Sequence, residues 1–263
     1  RMFEKEEIIF LQEILMNSWP ADHYYFLNGW ILRFNEGVTA RANSVLPLNY
    51  KGGLNTIDMD IIFVEKAYQA YNLPAIFTMP DFFEPNNLDT KLLEHGYQQL
   101  GCITHTLIAS VQNLRNETIN EDFTYLFYSK RVKEFSNFLA TFSNRDHEAQ
   151  KVLDALSNRI VIPQKRFIIT KLENKVVGTL MGILDLHGFL YIADVLVDPD
   201  VRRQKISTSM FFKIIKDWGI PNGVKTIWLQ VESENKEAID LYKKLGLVKA
   251  YSYYYLEKSM KHK

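Results

Sequence analysis

A run of strand, helix, strand, helix, strand occurs twice in this chain at almost the same spacing. In the first half, "GWILRFNEGVTARANSVLPL" reads as two strands and "TIDMDIIFVEKAYQAYN" as a helix. There "PAIFTMP" reads as a strand, "NLDTKLLEHG" as a helix, and "YQQLGCITHTLIASV" as one or two strands. In the second half, "GFLYIADVLV" is a strand, and residues 206–218 form a helix with Ile206, Met210, Phe211, Ile214, Ile215 and Trp218 on one face. "KTIWLQVE" is a strand, "SENKEAIDLYKKLG" a helix and "VKAYSYYYLEK" a strand. Aligning "SVLPLN" with "LVDPD" sets Pro47 on Pro199. Aligning "LLEHGYQQLG" with "LYKKLGLVKA" sets Gly96 on Gly246, and the two offsets nearly agree. A period of this size is one folding unit used twice. The alternative is two α/β halves that align only roughly.

The second half carries more before the repeat: the strand "DFTYLFYS", helical patterns around 131–142 and 147–157, and a hairpin of "RFIITKL", "ENK" and "VVGTLMGILDL". This order makes a mixed α/β domain. "VQNLRNETINEDF" is polar and aperiodic, so it reads as the linker between domains at 1–115 and 116–263. Near the start, "EKEEIIFLQEILMNSW" is apolar at helical spacing, but Glu4, Glu6, Glu7 and Glu13 make it an amphipathic helix and not a membrane span.

Charge narrows the partners. Lys plus Arg (31) equals Asp plus Glu (31), so the basic footprint of a nucleic-acid or membrane-surface protein is missing, and neither partner is expected. Cys102 is the one cysteine, which rules out an internal disulfide and a multi-cysteine zinc site; no metal is expected. With no signal-peptide pattern read, a cytoplasmic location is the expectation.

Two stretches carry chemistry. From Val197 to Met210 the residues run V-D-P-D-V-R-R-Q-K-I-S-T-S-M: strand end, basic loop, helix start. Free N–H groups and the dipole at a helix N-terminus favour an anion, and Arg202, Arg203 and Lys205 add three cations. A solvated basic loop is the bland alternative. The loop lacks glycine; Lys205 carries a Cβ penalty if its φ is positive, whereas at negative φ its ammonium can meet a phosphate oxygen. Downstream, Ser233 can cap the helix "SENKEAIDLYKKLG", Lys243 and Lys244 sit in its last turn, and Gly246 closes it. Asn235 and Tyr242 are two turns apart and share a face.

Together these stretches resemble the signatures of the GNAT (GCN5-related N-acetyltransferase) superfamily. The first is similar to V-x-P, two residues, Q/R-x-x-G-x-G/A, with Arg202 on the first motif position and Lys205 and Ser207 where glycines are usual. The second is similar to N-x-x-A-x-x-L-Y-x-x-x-G-[FL], matched by Asn235, Ala238, Leu241, Tyr242 and Gly246. The resemblance spans roughly 122–258. It implies tandem GNAT-like domains, each a central mixed, mostly antiparallel sheet flanked by helices. Domain 1–115 is then a degenerate copy and 116–263 the catalytic, acetyl-CoA-binding one.

The resemblance further implies that acetyl-CoA, as co-substrate, is held by Leu196, Val197, Arg202, Arg203, Gln204, Lys205, Ile206, Ser207, Thr208, Asn235 and Tyr242. Tyr242 becomes the general acid that protonates the leaving CoA thiolate, and a backbone N–H near Leu196–Val197 holds the thioester carbonyl. Asn235 faces the pantetheine arm, caps its helix, or does both. Asp194 is the candidate general base, with Glu232 as the other carboxylate; either is equally an exposed strand residue. His187 reads as a surface histidine. The first half has Gly52 and Gly53 but only Lys51 as a cation, and Leu92 near the place of Tyr242, so it lacks the machinery. Its Arg33, Arg41 and Asn43 line a pocket or lie on the surface.

The expected activity is acetyl transfer from acetyl-CoA to a primary amine of a small molecule or peptide, in a direct ternary complex, by a monomer or homodimer. An aminoacyl or longer-chain acyltransferase and a non-catalytic CoA sensor or scaffold are the alternatives.

Overall fold

The computed structural model describes residues 3–143 and 145–260. Among these, two compact units are distinguished. The first holds the described residues through His105, Glu232–Glu234 and those from Ala250; the second holds Thr106–Val231 and Asn235–Lys249.

The first unit begins with α1 (Lys5–Ser18), started by a capping box in which the Glu7 carboxylate accepts the Glu4 N–H at 3.0 Å. Strands β1 (His23–Leu27) and β2 (Trp30–Phe34) then form an antiparallel hairpin. Asn28 and Gly29 both have positive φ, the conformation a two-residue hairpin turn of this hand requires. Strand β1 is absent from the sequence reading above, although "NG" between alternating apolar residues is its signal. The unit continues with β3 (Val45–Leu46), α2 (Ile57–Ala70), β4 (Ala75–Pro80), α3 (Leu88–Glu94) and the long β5 (Gln98–Ser110).

The second unit supplies β6 (Thr124–Tyr128), α4 (Lys133–Phe142), α5 (His147–Asn158), β7 (Lys165–Leu172), β8 (Lys175–Leu184) and β9 (Phe189–Val197). Next come α6 (Ile206–Lys213), continued by a π-helical turn to Gly219, then β10 (Thr226–Glu232), α7 (Lys236–Lys244) and β11 (Val248–Lys258). Both β5 and β11 contribute residues to each unit.

In the first unit the strands run β1-β2-β3-β4-β11-β5, with β3 and β4 parallel and β11 antiparallel to β4 from Tyr253↔Pro80 to Lys258↔Ala75. Its core gathers Trp30, Tyr68, Phe77, Leu92 and Tyr97, all buried. In the second unit the end of β5 is followed by β10-β9-β8-β7-β6. There β9 and β10 are parallel and the other registered pairs antiparallel. Helices α4 and α6 both pack on β7, β8 and β9. Leu180, Ile192, Met210, Phe211, Ile214 and Ile227 are buried in the core on the α6 side. Each unit is thus a mixed α/β layer structure, as its element order implied.

The linker assignment meets a different arrangement. Val111, Leu114 and Ile119 pack against the second core, the Val111 N–H donates to the Lys225 carbonyl, and the Arg115 N–H donates to the Leu245 carbonyl. Apolar residues three to five apart anchor an otherwise polar stretch, and these residues fall within the second compact unit, which takes in Thr106–Val231. Among the described residues no helix is long and apolar enough to cross a membrane, and no group of three His, Cys, Asp or Glu is placed to hold a metal ion.

Candidate active site

Strand β9 has an irregularity at Asp194. Its pairing with β8 runs from Leu184↔Leu190 to Met181↔Ala193, slips, and resumes at Thr179↔Leu196. Asp194 takes up the extra residue with φ +50°, and its carbonyl accepts a hydrogen bond from Thr179 Oγ1 at 3.1 Å. On the other edge β9 pairs with β10 only through Ile192↔Leu229. Past that pair lies a cavity of about 620 Å³. Val195, Leu196 and Val197 form one wall, the loop and first turn from Arg202 to Thr208 a second, and the Asn235–Leu245 face of α7 a third.

The loop is built by short-range chemistry. Asp198 is fully buried; its carboxylate accepts the Asp200 N–H at 3.0 Å and pairs with Lys175 Nζ at 2.7 Å. The Lys175 hydrogen bond, then the Asp200 N–H, hold this carboxyl below the usual range. Asp-Pro after a strand is the signal that finds this turn. Arg203 and Lys205 lie in the left-handed region, at φ +65° and +60°, and Lys205 is the N-cap of α6. Lys205 therefore carries its Cβ in a conformation that glycine adopts freely. We expect Lys205→Gly to stabilise the protein by about 1 kcal/mol, because this relief exceeds the worth of a solvent-reached ion pair. A thermal melt reads this as a rise of about 2–4 °C.

Arg202, Arg203, Lys205, Ile206, Ser207 and Thr208 all line the cavity. Gln204, expected with them, does not: in the left-handed turn its carbonyl faces Asn120, accepting Nδ2 at 3.2 Å. On α7, Asn235 is the N-cap, its Oδ1 accepting the Ala238 N–H at 3.1 Å, and it also lines the cavity. Ser233, the cap expected from sequence, lies outside the helix. Tyr242 is 8% exposed, lines the cavity and packs its ring 6.1 Å from that of Phe211. Burial pushes its phenol up to about 12, so the hydroxyl stays protonated at neutral pH.

Asp194 does not present a free carboxylate to this cavity. Arg131 Nη2 donates to its Oδ2, and Arg145 Nη1 lies 3.7 Å from its Oδ1. Arg131 also donates to Asp154 Oδ1 at 3.0 Å and lies over the Phe135 ring at 4.9 Å. The Asp194 and Arg131 side chains are 5% and 4% exposed. The Asp194 carboxylate is thus engaged in a buried ion pair beside the bulge. Glu232 and His187 are exposed. Glu117 and Lys244 also line the cavity, and no local pattern marks Glu117.

In the first unit the corresponding places are filled. Asp58 and Asp60 occupy the first turn of α2, and Tyr50 donates to Asp60 Oδ2 at 2.6 Å. Leu92 is core. Arg33 and Asn43 neither line a described pocket nor reach the surface. Arg33 is buried, donating to the Ser44 carbonyl at 2.9 Å and to Thr78 Oγ1 at 3.0 Å, and Asn43 Oδ1 accepts the Asn35 N–H at 2.7 Å. Arg41 lies 5.3 Å from the Trp19 ring.

Residues 128–247 match the family model described as the acetyltransferase (GNAT) family. Residues 6–100 match a model described as the C-terminal region of the probable histone acetyltransferase Rv0428c. The chain is 27% identical over 250 residues to the uncharacterized N-acetyltransferase YobR of Bacillus subtilis (strain 168), covering 92% of this chain and 94% of that one. Among solved structures it is similar to a GCN5-related N-acetyltransferase from Kribbella flavida, with a TM-score of 0.70 at 14% identity and 96% of each chain covered. It is also similar to a tandem GNAT protein from the clavulanic acid biosynthesis pathway, with a TM-score of 0.59 at 9% identity, covering 83% of this chain and 76% of that one. At these identities the structural likeness speaks for the fold alone.

Proposed function

We propose, from the match of residues 128–247 to the acetyltransferase (GNAT) family, that the chain is a GNAT acetyltransferase that moves the acetyl group of acetyl-CoA to a primary amine in one ternary complex. The observation that carries this reading is the buried, neutral phenol of Tyr242 on the same cavity as the bulged end of β9 and the basic start of α6. The pyrophosphate suits the α6 N-terminus with Arg202 and Arg203, and the pantetheine arm suits the wall formed by Val195–Val197 and α7. In the reaction the amine nitrogen attacks the thioester carbonyl, a C–N bond forms and the C–S bond breaks. The sulfur leaves with the Tyr242 proton, the amine proton passes to water, and water returns a proton to the Tyr242 phenolate. Cys102 is not among the lining residues, which favours direct transfer over a covalent intermediate.

Acetyl-CoA titration by calorimetry, followed by thiol release across an amine panel, tests the proposal. Binding with turnover supports it. Binding without turnover moves the reading to a CoA sensor, turnover only with longer acyl or aminoacyl donors moves it to those transferases, and no binding ends it. Asp194→Asn, which keeps a hydrogen-bond acceptor for Arg131, is expected to retain turnover within about threefold, because general bases contribute about a hundredfold or more. A hundredfold loss together with a lost acidic limb in the pH–rate profile would restore Asp194 as the base.

A further inference from the structure

The cavity brings an anion of its own. Glu117 lies in the segment between β5 and β6, with its side chain 22% exposed. Its Oε2 accepts a hydrogen bond from Lys205 Nζ at 3.1 Å, and its Oε1 is 3.6 Å from Lys244 Nζ. Lys205 is the N-cap of α6 and Lys244 is the last residue of α7. One carboxylate thus ties together the ends of the two helices that wall the cavity.

The segment is fastened on both sides of Glu117. The Arg115 N–H donates to the Leu245 carbonyl at 2.9 Å. The Asn120 N–H donates to Ser209 Oγ at 2.9 Å, and Tyr125 donates its hydroxyl to the Asn120 carbonyl at 2.7 Å. The carboxylate is therefore held in place, and the hydrogen bond from Lys205 keeps its carboxyl below the usual range, hence charged at neutral pH. Glu237 and Asp240 also line the cavity but form no ion pair among the described residues. Glu117 alone of the lining acids is engaged with the basic side chains that a polyphosphate needs.

We propose that Glu117 is an internal counter-anion, displaced from Lys205 and Lys244 by the phosphates of a CoA-type ligand, so that ligand binding is an exchange of ion pairs. This rests on the CoA-binding reading above. It adds that the strap between β5 and β6 sets the strength of binding. Two consequences follow from electrostatics. Removing the carboxylate removes both a competitor and a like charge, so phosphate ligands bind more tightly. The freed lysines then recruit salt anions that the ligand must release, so binding becomes steeper in salt.

The experiment titrates CoA, dephospho-CoA and inorganic pyrophosphate into the wild-type chain, Glu117→Gln and Glu117→Ala at several sodium chloride concentrations, with a thermal melt of each variant. Both variants are expected to bind CoA about fivefold more tightly, with a steeper salt dependence. An equal gain for dephospho-CoA assigns the displacement to the pyrophosphate, and a gain confined to CoA assigns it to the 3′-phosphate; either supports the exchange. Unchanged or weaker CoA binding by folded variants overturns it. If no form binds CoA, the functional reading fails by itself. The pyrophosphate arm then decides the exchange: tighter binding by the variants supports it, and equal binding overturns it.

Discussion

Tyr242→Phe is expected to lower turnover by roughly a hundredfold while changing acetyl-CoA affinity by less than about twofold. The ring stays: phenylalanine keeps the packing against Phe211 and the buried position on α7. Only the hydroxyl is lost, and with it, in the proposed mechanism, the proton for the departing sulfur. Such a change reaches the transition state and spares the ground state, so kcat falls and KM does not rise. Because burial pushes this phenol up to about 12, the acid form persists well into alkali. A raised acid pKa favours the protonated donor, so no loss of wild-type rate from phenol ionisation is expected between about pH 7 and 10. Steady-state rates of thiol release, paired with calorimetry, check both halves. Unchanged turnover would remove Tyr242 from the acid role.

Gly246→Ala is expected to cost about 2–4 kcal/mol of stability, from a left-handed backbone and an overpacked contact together. Gly246 has φ +102° and closes α7: its N–H donates to the Lys243 carbonyl, and the Leu247 N–H donates to that of Tyr242. A Cβ there would stand 2.7 Å from the Asn113 carbonyl oxygen and 3.5 Å from Leu114 Cα. Both are backbone atoms of the segment that carries Glu117, and backbone yields less readily than the end of a side chain. Gly96 is the built-in control, with φ +85° at the end of α3 and nothing within 4 Å of an added Cβ. Gly96→Ala bears only the conformational penalty, about 1 kcal/mol. Urea denaturation of both variants separates strain from contact. Equal losses would show that the segment moves aside freely.

Much of this was legible in the chain because its signals are local. Helix α7 is bounded by a cap and a glycine nine residues of helix apart, and its burial follows the 3.6-residue period. The hairpin turn at Asn28 and Gly29 is a local signal too, since Asn-Gly favours the positive φ that both residues adopt. The positive φ at Lys205 was not legible. A lysine does not announce a left-handed backbone, and its conformation depends on the strap bonded to Gln204 and Ser209.

The sequence by itself determined the kind of unit, the place of the basic loop before α6, and the shared face of Asn235 and Tyr242. Caps, turns and periodicity act within a few residues, and their chemistry survives without the rest of the chain. Only the tertiary structure decided what two carboxylates do. Asp194 meets Arg131 across 63 residues, and Glu117 meets Lys205 across 88. An aspartate on an apolar strand and a glutamate in a polar stretch look alike in a sequence. Which cation each one meets is set by how the strands and helices pack, and that pairing buries one beside Arg131 and sets the other on the cavity wall between two helix ends.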